Sequence, residues 1–382
     1  MEKKIIGFYL FAFFLPLPLP LIVSSIMMGI LVINCLLLID KKNLNLITVL
    51  FLLFFLSDYT SLLFSNRELE FTSAFNDVKI SCLFIPFFIY NLKDKLQLKT
   101  ILSFYILGVL VYILYCLLYY VYFCSVHPNY TIQIDNYLFW AIENRFPGTY
   151  HRTYIGSYIL LAGVIVLLRF FKTKLISSKI SYLVLFIIFF LSIFFLGSKL
   201  TMGLFTGIIG LLLITNYRFL IIPFLVVAAI VFYKIKDWFL RTLEKSIGDR
   251  NIYFEKSIQI IKENLLFGIG QKNIKHNMVE INGELTPLIP HNIFLNELLS
   301  NGVWGFLVII SLFSLIIYKS IRLRSELAIA FCIMILGIAF IEDYIYMQRG
   351  LFFFVFFSSL LTCNFNVDVD LSFFKKPLKK VS

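Results

Sequence analysis

Long apolar runs separated by short polar ones set the pattern of this chain. The runs are continuous rather than alternating, which points to helices buried in apolar surroundings and not to half-buried strands. They predict twelve helices, at 5–20, 22–39, 44–64, 78–92, 100–123, 153–171, 181–197, 200–216, 219–233, 303–319, 326–343 and 349–363. A helix needs about 20 apolar residues to cross a hydrocarbon layer of about 30 Å. In lipid only helices and closed barrels satisfy their own backbone polar groups. The expected fold class is therefore an all-α polytopic membrane protein. Pro16, Pro18 and Pro20 should break the first pair at a tight turn. An even number of spans puts both termini on one side.

Three polar intervals face the other side, at 65–77, 124–152 and 234–302. The last is the longest. Within it, 250–264 reads as an amphipathic helix, capped by Asp249, with Ile252, Phe254, Ile258 and Ile261 on its apolar face. Gly268-Ile269-Gly270 ends it with a turn. We expect one membrane domain with one loop subdomain.

Composition agrees, with 60% hydrophobic and only 15% charged residues. A net charge of +12 invites a nucleic-acid partner, but the distribution of the charge argues against one. Lys3 and Lys4, Lys41 and Lys42, Lys93, Lys95 and Lys99 fall in alternate short connections. So do Arg169, Lys172, Lys174 and Lys179, Arg218, then Lys319, Arg322 and Arg324, and the tail Lys375, Lys376, Lys379 and Lys380. Such clustering marks the cytoplasmic side of a membrane protein. Met1-Glu2-Lys3-Lys4 before an apolar run looks like a signal-peptide start, but no A-x-A pattern follows, so we expect an uncleaved first helix. The six cysteines show no C-x-x-C spacing, which indicates neither a zinc site nor a disulfide framework.

The external side carries the candidate chemistry. Arg152 opens one span, Lys199 stands in a short turn between two spans, and Arg250 opens the loop helix. Together they can converge on one anionic group, a diphosphate above all, since the guanidinium fork makes two parallel hydrogen bonds to phosphate. Separately, each has a plainer reading: helix-end cations snorkel to lipid phosphate, and a loop arginine is solvated. His291 lies between Pro290 and an apolar helix. With an unperturbed pKa of about 6.5, its imidazole can accept a proton from a hydroxyl; equally, it can cap the helix or bind a carbonyl. Asn292 can orient His291 or cap the helix. Glu297 reads as a helix-face carboxylate with a local partner. Glu342 and Asp343 read as a solvated span end, or as ligands for a metal or a substrate hydroxyl. No G-x-x-x-x-G-K-[ST], H-E-x-x-H or G-x-S-x-G occurs, which argues against a nucleotide loop, a zinc protease and a serine hydrolase.

These residues stand in a recognisable order. Ser198-Lys199 forms a turn between spans, Arg250 opens a loop helix and Gly268-Ile269-Gly270 follows it. His291-Asn292-Ile293-Phe294-Leu295 precedes the next span, trailed by Leu298, Gly302 and Gly305, and His151-Arg152-Thr153-Tyr154-Ile155-Gly156 opens an earlier one. From about 185 to 320 the chain resembles the core of the O-antigen ligase and Wzy-type polymerase family, multi-span bacterial inner-membrane proteins of GT-C type. It departs from the family pattern at Lys199 (usually Arg), Phe254 (often Trp) and Leu265 (often Pro).

The resemblance implies a division into N-terminal spans 1–180, a ligase/polymerase-like core 181–320 with a periplasmic loop 234–302, and C-terminal spans with a basic cytoplasmic tail 321–382. It implies glycosyl transfer from an undecaprenyl-diphosphate-linked glycan to a hydroxyl on lipid A core or on a second lipid-linked repeat unit, with polymerase favoured over ligase. His291 and Arg250 would be catalytic; Lys199, Arg250 and Arg152 would hold the diphosphate; Asn292, Gly268, Gly270 and Tyr154 would support them. No cofactor, metal or nucleic acid is implied. Membrane lipids, a flippase and a chain-length regulator are the other partners. Both termini would be cytoplasmic and the site periplasmic. A lipid-linked glycan transporter is the contrasting expectation.

Overall fold

The computed structural model describes residues 5–19, 21–38, 44–64, 78–126, 152–216, 250–281 and 283–364, with isolated positions between 222 and 248. The helix expected at 219–233, the cap Asp249 and His151 lie outside the described residues or fall on scattered ones only. Among the described residues the helices longer than four residues are α1 (Ile6–Phe14), α2 (Leu21–Leu36), α3 (Leu46–Phe64), α4 (Ser81–Leu92), α5 (Leu98–Val126), α6 (Arg152–Lys172), α7 (Ile176–Leu196), α8 (Lys199–Asn216), α9 (250–263), α10 (Ile293–Arg322), α11 (Glu326–Ala339) and α12 (Gln348–Leu361). Short 3-10 turns at Val78–Ile80 and Tyr344–Tyr346 lead into α4 and α12. Four of the described helices, α5, α6, α7 and α10, are long and apolar enough to cross a membrane; α2, α3, α4, α8, α11 and α12 contain shorter apolar helices.

Among the described residues the all-α expectation holds apart from one hairpin, β1 (Met278–Ile281) against antiparallel β2 (Glu284–Pro287). Ile281 pairs with Glu284 across a two-residue loop whose Gly283 has φ 84°. The Asn282-Gly283 dipeptide is the sequence signal for such a turn, and the helical reading of the loop passed over it.

Helix α6 lies at the centre of the bundle, with every residue from Thr153 to Leu168 buried. Beside it α12 is buried from Arg349 to Leu361. Phe353 joins the two, its ring 5.0 Å from Tyr158 and 5.9 Å from Phe331 of α11. On the periphery, α2 exposes Ile22, Ile26 and Ile33, and α7 exposes Ile176, Ile180 and Ile187. Large apolar side chains left outside a bundle this hydrophobic are what a lipid-facing surface requires. The molecule is an integral membrane protein.

The two ends of the bundle differ in chemistry. At one end Lys95 donates to the Leu38 carbonyl (2.8 Å), Arg169 to the Lys99 carbonyl (3.0 Å) and Lys319 to Asn45 Oδ1 (3.0 Å). These bonds join connections that the charge pattern assigns to one side. The starts of α6, α8 and α10, together with α9 and the 340–347 connection, gather at the other end.

There the loop subdomain has its own small core. Tyr253, Ile260 and Ile261 of α9 pack with Ile274, Val279, Leu288, Leu295 and Leu299. The buried face of α9 is therefore rotated from the expected one. Ile252 and Phe254 are 39% and 54% exposed, because Tyr253, Ser257, Ile260 and Ile261, at helical spacing, turn toward the hairpin and the start of α10.

Helix α10 is broken at Gly302 (φ 65°, ψ −159°), one residue before the span expected at 303. A break frees backbone groups, which must find partners where they are buried. The 265–270 turn supplies them: Ile269 N–H donates to the Leu299 carbonyl (2.9 Å), Gly270 N–H to Ser300 (2.8 Å), and Val303 N–H to Leu265 (2.9 Å). Gly268 lies so close to the Ser300 carbonyl that a Cβ there would overlap it, and Gly302 is as close to the Leu266 carbonyl. Gly268 and Gly270 thus fasten the loop subdomain to the broken helix.

Candidate functional site

The starts of α6 and α8 touch. A Cβ at Gly156 would collide with the Thr201 side chain, so only glycine lets the two helices approach this closely. One turn above, the Arg152 guanidinium lies over the Gly197 turn, 4.0 Å from where a side chain at Gly197 would begin. Ser198 Oγ and Thr201 Oγ1 share a hydrogen bond (2.9 Å) that closes the first turn of α8. Lys199 is its first residue. The charges of both Arg152 and Arg250 bear on Lys199. The three cations that sequence placed on separate elements therefore converge.

Arg250, in the first turn of α9, reaches the same place and donates from Nη2 to Glu342 Oε1 (3.3 Å). The other oxygen of Glu342 lies 3.6 Å from His291 Nδ1, an ion-pair distance when the imidazole is protonated. Glu342 is 8% exposed, which overturns the reading of a solvated span end. The cause is the 340–347 connection, which folds back over the start of α10 instead of leaving the bundle.

Asp343 holds that fold-back. Its Oδ1 accepts from Asn292 N–H (2.9 Å) and its Oδ2 from His291 N–H (3.3 Å). Two amides at a helix N-terminus suit a carboxylate. They also hold His291 at φ 51°, a left-handed conformation that is uncommon for a non-glycine residue. Asn292 caps α10, its Oδ1 accepting from Leu295 N–H (2.9 Å), while its Nδ2 donates to the Phe340 carbonyl (3.2 Å). It is a cap and a tie to the 340–347 connection at once. Tyr154 donates to the Asp343 carbonyl (3.4 Å) and stacks on Tyr344 (4.7 Å). Tyr253 meets the His291 ring edge-on at 5.6 Å. His276, the other described histidine, is exposed in the loop subdomain.

Burial pushes the Asp343 carboxyl up to about 6; the nearby His291 and a hydrogen bond from Asn296 pull it down, and Glu342 pushes it up. The fold therefore opposes its ionisation. The stability it contributes is full below the ordinary carboxylate range and is lost as pH rises through about 6. Activity runs the opposite way, because only the carboxylate accepts both amides. We expect Asp343→Asn, which keeps only one acceptor for the two amides, to lower activity about 10-fold and to remove the fall in thermal stability through about pH 6. Unfolding temperatures that fall through about pH 6 in Asp343→Asn as they do in wild type would refute this assignment.

A second polar centre lies farther along α10. Lys79, 5% exposed, donates to Glu297 Oε1 (3.3 Å), and Glu297 is fully buried. Asn301 donates to Glu297 Oε2 (2.7 Å) and the Tyr346 hydroxyl donates to Oε1. The Lys79 ammonium also lies 4.0 Å from the Phe54 ring centre. Asn301 is the local partner expected of Glu297; the ion pair to Lys79, 218 residues away, is not local. Sequence reasoning passed over Lys79, although a lysine at the end of a predicted span away from the basic connections departs from the charge pattern and was the available signal.

The fold and this site define a multi-span membrane protein with a cluster of three cations, a histidine and two carboxylates at one end of its bundle. Residues 138–310 match the family model described as O-Antigen ligase. Over that stretch the chain is similar to the O-antigen ligase family, as its motifs led us to expect. The matched stretch contains Arg152, Tyr154, Lys199, Arg250, Gly268, Gly270, His291 and Asn292. No curated protein matches the chain.

Proposed function

We propose that this chain is a glycosyltransferase of the bacterial inner membrane, acting in surface polysaccharide synthesis. In this reading it moves a glycan from an undecaprenyl-diphosphate carrier to a sugar hydroxyl. The observation that carries the reading is the convergence of Arg152, Lys199 and Arg250 beside His291. Three cations in one place repel one another, and a diphosphate supplies the charge that relieves them. They would hold the donor and stabilise the diphosphate as it leaves. His291 would accept the proton of the acceptor hydroxyl. Lys199, in place of the family's usual arginine, would act as a point charge and not as a fork.

About twelve spans of GT-C type, with a core at 181–320, both termini cytoplasmic and the site periplasmic, complete the reading. The acceptor is a second lipid-linked repeat unit, which makes the chain a polymerase; lipid A core as acceptor would make it a ligase. A flippase and a chain-length regulator would be its partners. A transporter of lipid-linked glycans is the second reading, favoured by the broken α10 and the buried Lys79–Glu297 pair, features that line transport sites. Gly302 and Glu297, however, lie close along the chain to His291, which opens α10.

The test is a gel of envelope glycans from a strain lacking this chain, complemented with wild type or with His291→Ala. A ladder that collapses to a single repeat unit on the core, and is not rescued by His291→Ala, is the expected result. Core without glycan, with lipid-linked polymer accumulating, would replace polymerase by ligase. Full rescue by His291→Ala would overturn the enzymatic reading and favour the transporter.

A further inference from the structure

One carboxylate in the site is spent on a cation that the donor needs. Arg250 has its guanidinium on Glu342 Oε1, and the other oxygen of the same carboxylate faces His291 Nδ1. Glu342 is held from behind: the following residue, Asp343, is fixed by two backbone amides, and Tyr154 holds the Asp343 carbonyl. The Arg250 side chain remains 35% exposed, against 10% for Glu342. The arginine can therefore turn to a ligand arriving from outside, while the carboxylate stays where it is.

We propose that Glu342 is an internal stand-in for the donor diphosphate, and that donor binding hands Glu342 over from Arg250 to His291. This rests on the reading of the site as a diphosphate site. A carboxylate and a phosphate oxygen compete for the same planar fork. A diphosphate, with more charge and with Lys199 and Arg152 beside it, displaces the single carboxylate. Glu342, relieved of Arg250, then bears more fully on His291. It favours the tautomer with the proton on Nδ1, so that Nε2 is the acceptor, and it stabilises the imidazolium that forms. In the reaction the acceptor oxygen bonds to the anomeric carbon as the bond from that carbon to the diphosphate oxygen breaks. The electron pair leaves with the diphosphate and the acceptor proton passes to His291 Nε2. Glu342 touches neither sugar; it is a positioning residue acting through Arg250 and His291. The consequence is an order of events: the base is readied only when a donor is seated, which protects the site from spending a proton acceptor on water.

Glu342→Gln separates the two roles. The probe is undecaprenyl diphosphate, binding the full-length chain in nanodiscs. The variant is expected to bind it about 3- to 10-fold more tightly, because the competing charge is gone, while turnover in membranes falls about 10-fold or more. A merely structural residue would weaken binding or leave it alone as turnover falls. In an Arg250→Gln background, adding Glu342→Gln should change binding no further. Glu342→Asp keeps the charge but is too short to span both partners, and should shift binding the same way by a smaller factor. Equal or weaker binding, in whichever of the two variants accumulates, overturns the proposal. Failure of the wild-type chain to bind undecaprenyl diphosphate would instead overturn the diphosphate reading beneath it.

Discussion

Lys79→Met is expected to remove most of the folded chain, and Lys79→Met together with Glu297→Gln to bring much of it back. The reason is the asymmetry of a buried ion pair. Removing one partner leaves the other charge uncompensated at a cost of about 3–5 kcal/mol, whereas neutralising both can be close to neutral. Glu297 is fully buried, so a carboxylate without Lys79 has no recourse to water. Glutamine at 297 still offers an oxygen to Asn301 and an amide to the Tyr346 hydroxyl, so the double variant keeps two of the three links to that side chain. The check is thermal unfolding of the purified full-length chain in detergent, beside its level in membranes. A single variant as stable as wild type would mean that the pair contributes nothing. A double variant as poor as the single would mean that Lys79 acts through Phe54 instead, whose ring it covers.

The same pair shows where sequence stops informing. The helices were legible because a run of about 20 apolar residues has one solution in lipid, and nearly every described helix falls where a run predicts it. Arg152, Lys199, Arg250 and His291 were legible as residue types at span ends, and their order carried the family resemblance. That the three cations could meet was an expectation; what brings them together, α6 and α8 closing on each other at Gly156 and Thr201, was not legible. Glu342 and Asp343 were misread because their partners lie far off in sequence, 92 residues to Arg250 and 51 to Asn292. Nothing local tells a carboxylate that ends a span in water from one folded back under a neighbouring helix. The face of α9 was legible only in part, for the opposite reason: Ile258 and Ile261 pack inward as expected, and Ile252 and Phe254 do not. It is apolar enough on two sides that periodicity alone selects neither, and the hairpin it packs against decided the matter.

Gly302→Ala is expected to abolish function with the site's own side chains untouched. At φ 65° and ψ −159° the residue occupies a region open essentially only to glycine, at a cost of about 1–3 kcal/mol for any other residue. A Cβ would also overlap the Leu266 carbonyl oxygen, so backbone must move. The movement sacrifices the bonds from Val303 to Leu265, Ile269 to Leu299 and Gly270 to Ser300, each contributing about 1 kcal/mol. Those bonds join the turn after α9 to the break in α10. Arg250 rides on the first element and His291 opens the second, so slippage at the clasp separates the cation that holds the donor from the base that serves the acceptor. The comparison is Gly207→Ala on α8, where an added Cβ meets nothing within 4 Å and a helical alanine is favoured by about 1 kcal/mol. Assayed side by side for glycan ladder and thermal unfolding, Gly207→Ala should match wild type or exceed it in stability. Gly302→Ala should lose the ladder and unfold at lower temperature. A Gly302→Ala chain that still builds the ladder would show that the register between α9 and α10 is set elsewhere, and that the glycine turn closes over the helix break without governing the site.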